Sequence, residues 1–202
     1  KKGWKILAAD YSQIELRILA HLSGDPLMTK FFMEDKDIHR ATAAEVFGVT
    51  EDNVTTEMRD AAKTVNFGVI YGISDFGLAK SLKIKRTEAA EYIKKYFDKH
   101  SGVKKFMDDT IEQARIDGYV CTMLGRRRPM PDINNPNFNI KSFAERTAIN
   151  TPVQGTAADM IKIAMINIAR ELKGTQDGSP GVSPPRRRGS SALASKMILQ
   201  VH

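Results

Sequence analysis

Cysteine is almost absent. Cys121 stands alone in 202 residues, which excludes an internal disulfide and a cysteine-rich zinc site. A lone cysteine reads as a small core residue in a reducing compartment. Long apolar runs are missing too. No stretch approaches the roughly 18 residues of a membrane span. The opening KKGWKILAADYS has too short an apolar part for a signal peptide. These absences predict a soluble, cytoplasmic chain with no membrane partner. No internal repeat is visible. Acidic residues fall short of basic ones, 24 against 31, and the pI is near 9.5. That imbalance points to a polyanionic partner, most often nucleic acid. A hydrophobic content of 42% supports a packed core and argues against global disorder. The length allows one large domain or two small ones.

What is there begins with WKILAAD, Trp4 to Asp10, a short buried strand pattern that ends on a carboxylate. A helical pattern follows at once, with Ile14, Ile18 and Leu22 spaced four apart and Gly24 as a stop. Asp10 therefore sits at a strand-to-helix corner, open to a metal or a phosphate, with Glu15 projecting near it. Pro26 starts a second helix. Asp37 caps a third that runs to Gly48 and carries His39 in its first turn. A lone histidine is most often structural or exposed; at a helix N-terminus it also suits a phosphate.

MRDAAKTVNFGVIYG, Met58 to Gly72, reads as one helix. Arg59, Lys63 and Phe67 are spaced four apart on one face, with Asn66 close to that line and Tyr71 extending it. Arg59 and Lys63 stand roughly 6 Å apart along the axis. Two cations suit a polyphosphate, and a ring suits a base or sugar. Alone, this is as readily a solvated amphipathic helix. Ala61, Ala62, Val65, Val69 and Ile70 are left to pack inward.

Further on, Thr87 is expected to cap a helix through His100, and another runs from Gly102 to Asp117. Their lysines (Lys94, Lys95, Lys99, Lys104 and Lys105) read mainly as a solvated face. YVCTMLGRRRPMPDI reads as a β-hairpin with Arg126, Arg127 and Arg128 on its second arm. A helix then follows in which Pro152 is a break or kink. Arg146, Asn150 and Gln154 form a polar stripe on it, able to reach the acceptors that all base pairs share in the minor groove. TAADMIKIAMINIAREL reads as an apolar-faced core helix. Residues 173–195, rich in Gly, Ser and Pro, read as a disordered linker. KMILQVH closes the chain as a strand pattern.

Three of these stretches together resemble one family, the family A DNA polymerases (the bacterial DNA polymerase I family). DYSQIELR, Asp10 to Arg17, is similar to its motif A. Arg59, Lys63, Phe67, Gly68, Tyr71 and Gly72 are similar to its motif B, and KMILQVH to the strand entering motif C. AHLSGD, DIH, GRRR, ERTAIN and PVQGTAAD are also similar to family sequence at compatible spacings. The resemblance covers residues 1–172 and 196–202. It implies an α+β, mostly α-helical fold: the fingers of a right-hand polymerase with parts of the antiparallel palm sheet. The implied divisions are a palm segment at 1–24, fingers at 25–118, and a hairpin with palm helices at 119–172. The linker or insertion follows at 173–195, and a palm strand at 196–202.

The implied reaction is attack of a primer 3′-hydroxyl on the α-phosphate of a dNTP, directed by template DNA, with two Mg²⁺ ions neutralising charge. By the same resemblance, Asp10 is one of two metal-holding aspartates, with the Tyr11 carbonyl as a further ligand. Glu15 is the gate that rejects a ribose 2′-hydroxyl. Arg59, Lys63 and His39 hold the triphosphate, with Gln13 nearby. Phe67 packs on the incoming sugar and base. Tyr71 stacks at the template position, and Arg146, Asn150 and Gln154 touch primer–template DNA.

Two departures qualify this. In the family an aspartate and a glutamate follow QVH, and the aspartate is the second metal ligand. The expectation is therefore a polymerase fragment, inactive alone and partnered by the remaining palm, the thumb and any exonuclease domain of a longer chain. The 173–195 stretch is also unlike the family's short link. Two other readings remain: a single-subunit RNA polymerase, against which Glu15 argues, and a non-catalytic nucleic-acid-binding module, against which Asp10, Arg59 and Lys63 argue.

Overall fold

The computed structural model describes residues 8–174. Eight helices and one hairpin make up the described residues: α1 (Ile14–Ser23), α2 (Pro26–Met33), α3 (Ile38–Phe47), α4 (Thr56–Ile70), α5 (Asp75–Leu82), α6 (Arg86–Lys99), α7 (Ser101–Asp117), β1 (Tyr119–Cys121), β2 (Arg127–Pro129) and α8 (Phe138–Gly174). A 3-10 turn (Glu51–Asn53) joins α3 to α4.

Local chemistry sets most of the boundaries. Asp25, Asp37, Thr55 and Ser74 each cap the helix that follows by accepting from backbone N–H groups of its first turn. Gly24, Gly48 and Gly118 close α1, α3 and α7 in the left-handed region. The main core draws on seven helices and the first half of α8. Leu16, Leu19, Met28, Ile38, Val65, Leu78, Tyr96, Val103 and Val153 are all fully or almost fully buried in it. Ala43, Val54 and Ala62 form a smaller cluster where α4 leaves the 3-10 turn.

The hairpin pairs Val120 with Arg128 in an antiparallel register and is seated on α8. The Met123 N–H donates to Thr156 Oγ1 (3.0 Å), and Arg126 donates to the Gly155 carbonyl (3.0 Å). A Cβ on Gly155 would stand 2.6 Å from Thr122 Cγ2, so only glycine permits this approach.

Several expectations change. Ala8 to Asp10 carry no regular structure, because a strand needs a paired neighbour; Trp4 to Ile6 and Leu7 lie outside the described residues, as does KMILQVH. Thr87 is inside α6, which starts at Arg86 after Lys85. Arg86 reaches back to Asp75 Oδ2 at 2.7 Å, and the helix begins two residues earlier than a Thr87 cap would place it. Pro152 does not break its helix: α8 runs on for 37 residues. The hydrogen bond that proline forfeits is offset by burial of Ala148, Ile149, Val153 and Ala157 around it. Cys121 is half-buried in the hairpin, not in the core. The expected linker begins later, since α8 includes Lys173 and Gly174; residues 175–195 lie outside the described residues.

The chain divides into two compact units, residues 1–157 and 158–202. Within the second, Met160, Ile163, Ile166 and Ile168 are 40–51% exposed. The expected core helix is thus buried at Thr156 and Ala157 but exposes the apolar side chains from Met160 on; an apolar stripe identifies the face that favours burial, not its cover. No helix of the described residues is long and apolar enough to cross a membrane.

Candidate functional site

Helix α4 positions the site. It starts two residues before Met58 and ends at Ile70; Tyr71 is its C-terminal cap and Gly72 turns out with φ +63°. That exit is tight. A Cβ on Gly72 would lie 2.8 Å from Arg146 Cγ, so positive φ and the approach of α8 both require glycine. Along α4, Lys63 is exposed, Arg59 and Phe67 are half-buried, and Tyr71 is 39% exposed. The two cations and two rings therefore share an accessible side, as their spacing predicts. A cavity of about 280 Å³ opens behind the helix exit, lined by Gly72, Phe97, Arg146 and Ile149 among others, and does not include Arg59 or Lys63.

Arg59 is already engaged. Its Nε donates to Asp37 Oδ2 at 2.8 Å, with both side chains about one-third exposed. The other oxygen, Asp37 Oδ1, accepts from the N–H groups of His39 and Arg40 and so caps α3. Burial pushes the Asp37 carboxyl up, but Arg59 and the two N–H groups outweigh it and hold it below the usual range.

His39 is only 3% exposed. Burial lowers its pKa; Asp37 opposes that, while Arg59 and Lys63 reinforce it, so the ring is neutral near pH 7. Its centroid lies 5.7 Å from that of Phe67. The Asn66 Nδ2 donates to His39 Nδ1 at 3.1 Å. Asn66 itself is fully buried, not on the Arg59 line. A signal for this was present: Asn66 stands four residues after Ala62 and four before Ile70, on the apolar stripe. Thr42, 1% exposed, pairs with the same amide and was not anticipated, nor was the Asp37–Arg59 ion pair.

The segment resembling motif A is bonded to the end of α4. The Tyr71 hydroxyl donates to Glu15 Oε2 at 2.8 Å, and Gln154 of α8 also bonds the Tyr71 hydroxyl. Burial and then Glu15 push the phenol above its ordinary range, while Gln154 partly offsets them. Glu15, Tyr71 and Gln154 are thus brought together across three helices. Arg146 packs against Gly72, and its guanidinium lies 5.9 Å from the centre of the Phe143 ring. The Asn150 Oδ1 is buried without a hydrogen-bond partner among the described residues.

Asp10 and Tyr11 are exposed on the segment before α1. Gln13, which precedes the helix, holds φ +53°, an uncommon conformation for a side chain of its kind. Asp10 and the Tyr11 carbonyl are oxygen donors of the kind a hard divalent cation takes while keeping part of its water shell. No group of three His, Cys, Asp or Glu side chains gathers as a metal-ligand set among the described residues.

Comparison with known proteins gives this arrangement its setting. The family model for DNA polymerase family A matches residues 1–202. The chain is 50% identical over all 202 residues to the DNA polymerase I of Bacillus caldotenax and to that of Bacillus subtilis, and covers 21% of each. It therefore spans about a fifth of the length of these relatives. A solved structure, the POL domain of Pol1 from M. smegmatis in complex with DNA primer-template and dNTP, is similar over 83% of this chain and 30% of that one. The TM-score is 0.79 and the identity 45%. The match spans both motif A and motif B, and the mostly helical fold agrees with it: the chain belongs to DNA polymerase family A.

Proposed function

We propose that residues 1–202 are the nucleotide-gripping part of a template-directed DNA polymerase, with α4 as the helix that holds an incoming dNTP. The observation that carries this reading is the accessible face of α4. Arg59 and Lys63 stand together for a triphosphate, Phe67 and Tyr71 follow for sugar and base, and Tyr71 is bonded to Glu15 of the motif A helix. In the reaction a primer 3′-hydroxyl attacks the α-phosphate, and the bond to the pyrophosphate leaving group breaks. Little covalent help is needed from protein; position and charge are. Arg59 and Lys63 neutralise and orient the phosphates, His39 touches them from α3, and Gln13 borders them. Phe67 packs on the sugar. Glu15 closes the space a 2′-hydroxyl would occupy. Tyr71, Arg146, Asn150 and Gln154 border primer–template DNA.

Asp10 and the Tyr11 carbonyl would hold a divalent cation, Mg²⁺ in this reading, which supplies charge neutralisation at the reacting phosphate when bound. The chain spans about a fifth of the length of its relatives, and in this reading extension draws on palm and thumb parts such as those relatives carry. Residues 25–118 act as the fingers, and the protein works in the cytoplasm on chromosomal DNA. The test is titration of a fluorescent dNTP with Mg²⁺ into the 202-residue chain and its Arg59→Ala and Lys63→Ala variants. Each variant should bind about tenfold or more weakly, the effect of one charge-assisted hydrogen bond, with folding intact. Equal affinity in all three would sink the reading.

A further inference from the structure

Helix α1 starts unlike its neighbours. Asp25, Asp37, Thr55 and Ser74 cap α2, α3, α4 and α5 from extended backbone, each with a side-chain hydrogen bond. Gln13 holds the same position before α1, makes no such bond, and lies in the left-handed region at φ 53°, ψ 40°. Crowding of the Cβ disfavours a side chain there, and the conformation persists only where neighbours impose it. The neighbour is Arg17. Its Nε donates to the Ser12 carbonyl at 3.1 Å, and its own N–H donates to the Gln13 carbonyl at 3.1 Å. One residue thus holds the carbonyl before Gln13 and the carbonyl of Gln13 itself. The Arg17 guanidinium in turn lies over the Phe32 ring of α2, with Cζ 4.7 Å from the ring centre, which gives the arm a platform.

The coupling is geometric. The Ser12 carbonyl belongs to the rigid peptide plane that turns with φ of Gln13. Bringing Gln13 to an ordinary negative φ must either flip that plane alone or swing the whole segment before it. Both routes take the carbonyl away from Arg17, and the second carries Tyr11 and Asp10 with it. We propose that Arg17, braced on Phe32, is a positioning residue: by holding the Ser12 carbonyl it keeps the Gln13 turn left-handed, and so fixes where Asp10 and the Tyr11 carbonyl are presented to a divalent cation. The cation half rests on the metal reading above; the turn does not.

The sign of the effect on a bound cation tests this. Tb³⁺, a hard ion that takes oxygen donors, is titrated into the 202-residue chain. Its luminescence, sensitised by the exposed Tyr11 ring, is read as the part lost in Asp10→Asn. An arginine that acts only through its charge repels the ion, so its removal would tighten binding. A positioning arginine gives the opposite. Arg17→Met, whose unbranched chain still lies on Phe32, should weaken binding about three- to tenfold, the effect of one lost hydrogen bond. Gln13→Gly should remove the need for the clamp, since glycine takes positive φ without strain; in that background Arg17→Met should change nothing. Tighter or unchanged binding in Arg17→Met, or the same loss in both backgrounds, overturns the positioning role. The turn is read separately by nuclear magnetic resonance, from the strong contact between the amide and α protons of Gln13 that a left-handed residue gives. That contact should be present in the wild type and fade in Arg17→Met. Its absence from the wild type, or its persistence in Arg17→Met, overturns the clamp. A wild type with no Asp10-dependent Tb³⁺ signal would remove the metal reading, and the Gln13 contact would still decide the clamp.

Discussion

Asp25 and Asp37 both cap a helix, and both lie close to a histidine, yet their carboxylates are used differently. Asp25 is 1% exposed and spends its oxygens on the protein. It accepts from the N–H of Met28 (2.9 Å) and of Gly102 (3.1 Å), and meets His100 Nδ1 at 3.1 Å. His100 is equally buried, with the fully buried Tyr96 ring 4.5 Å away. The cluster pins the start of α2 to the joint between α6 and α7. Asp37 also caps with one oxygen, but its other oxygen holds the partly exposed Arg59. His39 near it is tied to an amide, not to a carboxylate. A closed network fixes the scaffold. An open one leaves a cation that a stronger anion can take.

The largest expected effect comes from breaking the closed network. Asp25→Ala leaves His100 and two backbone N–H groups buried without their acceptor. It should cost about 3–5 kcal/mol in the unfolding free energy from urea titration. A loss below about 1 kcal/mol would place the Asp25 cluster with the surface pairs and erase the contrast. The pH dependence follows the same contrast. Burial pushes the Asp25 carboxyl up, but His100 and the N–H groups of Met28 and Gly102 outweigh it and hold it below the usual range. Its stabilisation is thus present above the unfolded pKa of about 3.9, and is lost as pH falls through the lowered folded value. Asp25→Asn should flatten that acid limb.

The two side-chain networks were not visible along the chain. The helices were legible because their caps and stops are local: Asp37 with Gly48, and Gly24 after an apolar stripe. The accessible face of α4 was legible from spacing alone, since Arg59, Lys63 and Phe67 recur at the helical period. Asp25 and His100 are 75 residues apart, and no local pattern joins them. Asn66 was misplaced for a related reason. Its polarity argued for the exposed face while its position argued for the apolar stripe, and only the neighbouring Thr42 and His39 decide for burial. The length of α8 was hidden by Pro152, whose cost is local while its compensation comes from contacts with other helices.

Tyr71→Phe is an intermediate test. It removes the hydroxyl that joins α4 to Glu15 across 56 residues. The site is partly exposed, so the expected loss is about 0.5–1.5 kcal/mol in the same titration. A loss as large as that of Asp25→Ala would mean that the proposed nucleotide face belongs to the rigid scaffold.

The smallest expected change in stability is also the sharpest in function. Asp37→Asn keeps a good capping residue on α3 but removes the charge that holds Arg59. An ion pair this exposed contributes about 0–1 kcal/mol, so the unfolding free energy should move by no more than that. Affinity for dNTP with Mg²⁺ should rise, because the triphosphate no longer competes with Asp37 for the guanidinium. The gain should fade with added salt, which screens exposed charges over about 10 Å at 0.1 M. It should vanish in Arg59→Ala, where there is nothing left to release. If Asp37→Asn instead weakens nucleotide binding, the ion pair aligns Arg59 for its ligand instead of withholding it. Asp37 would then belong, like Asp25, to the fixed scaffold.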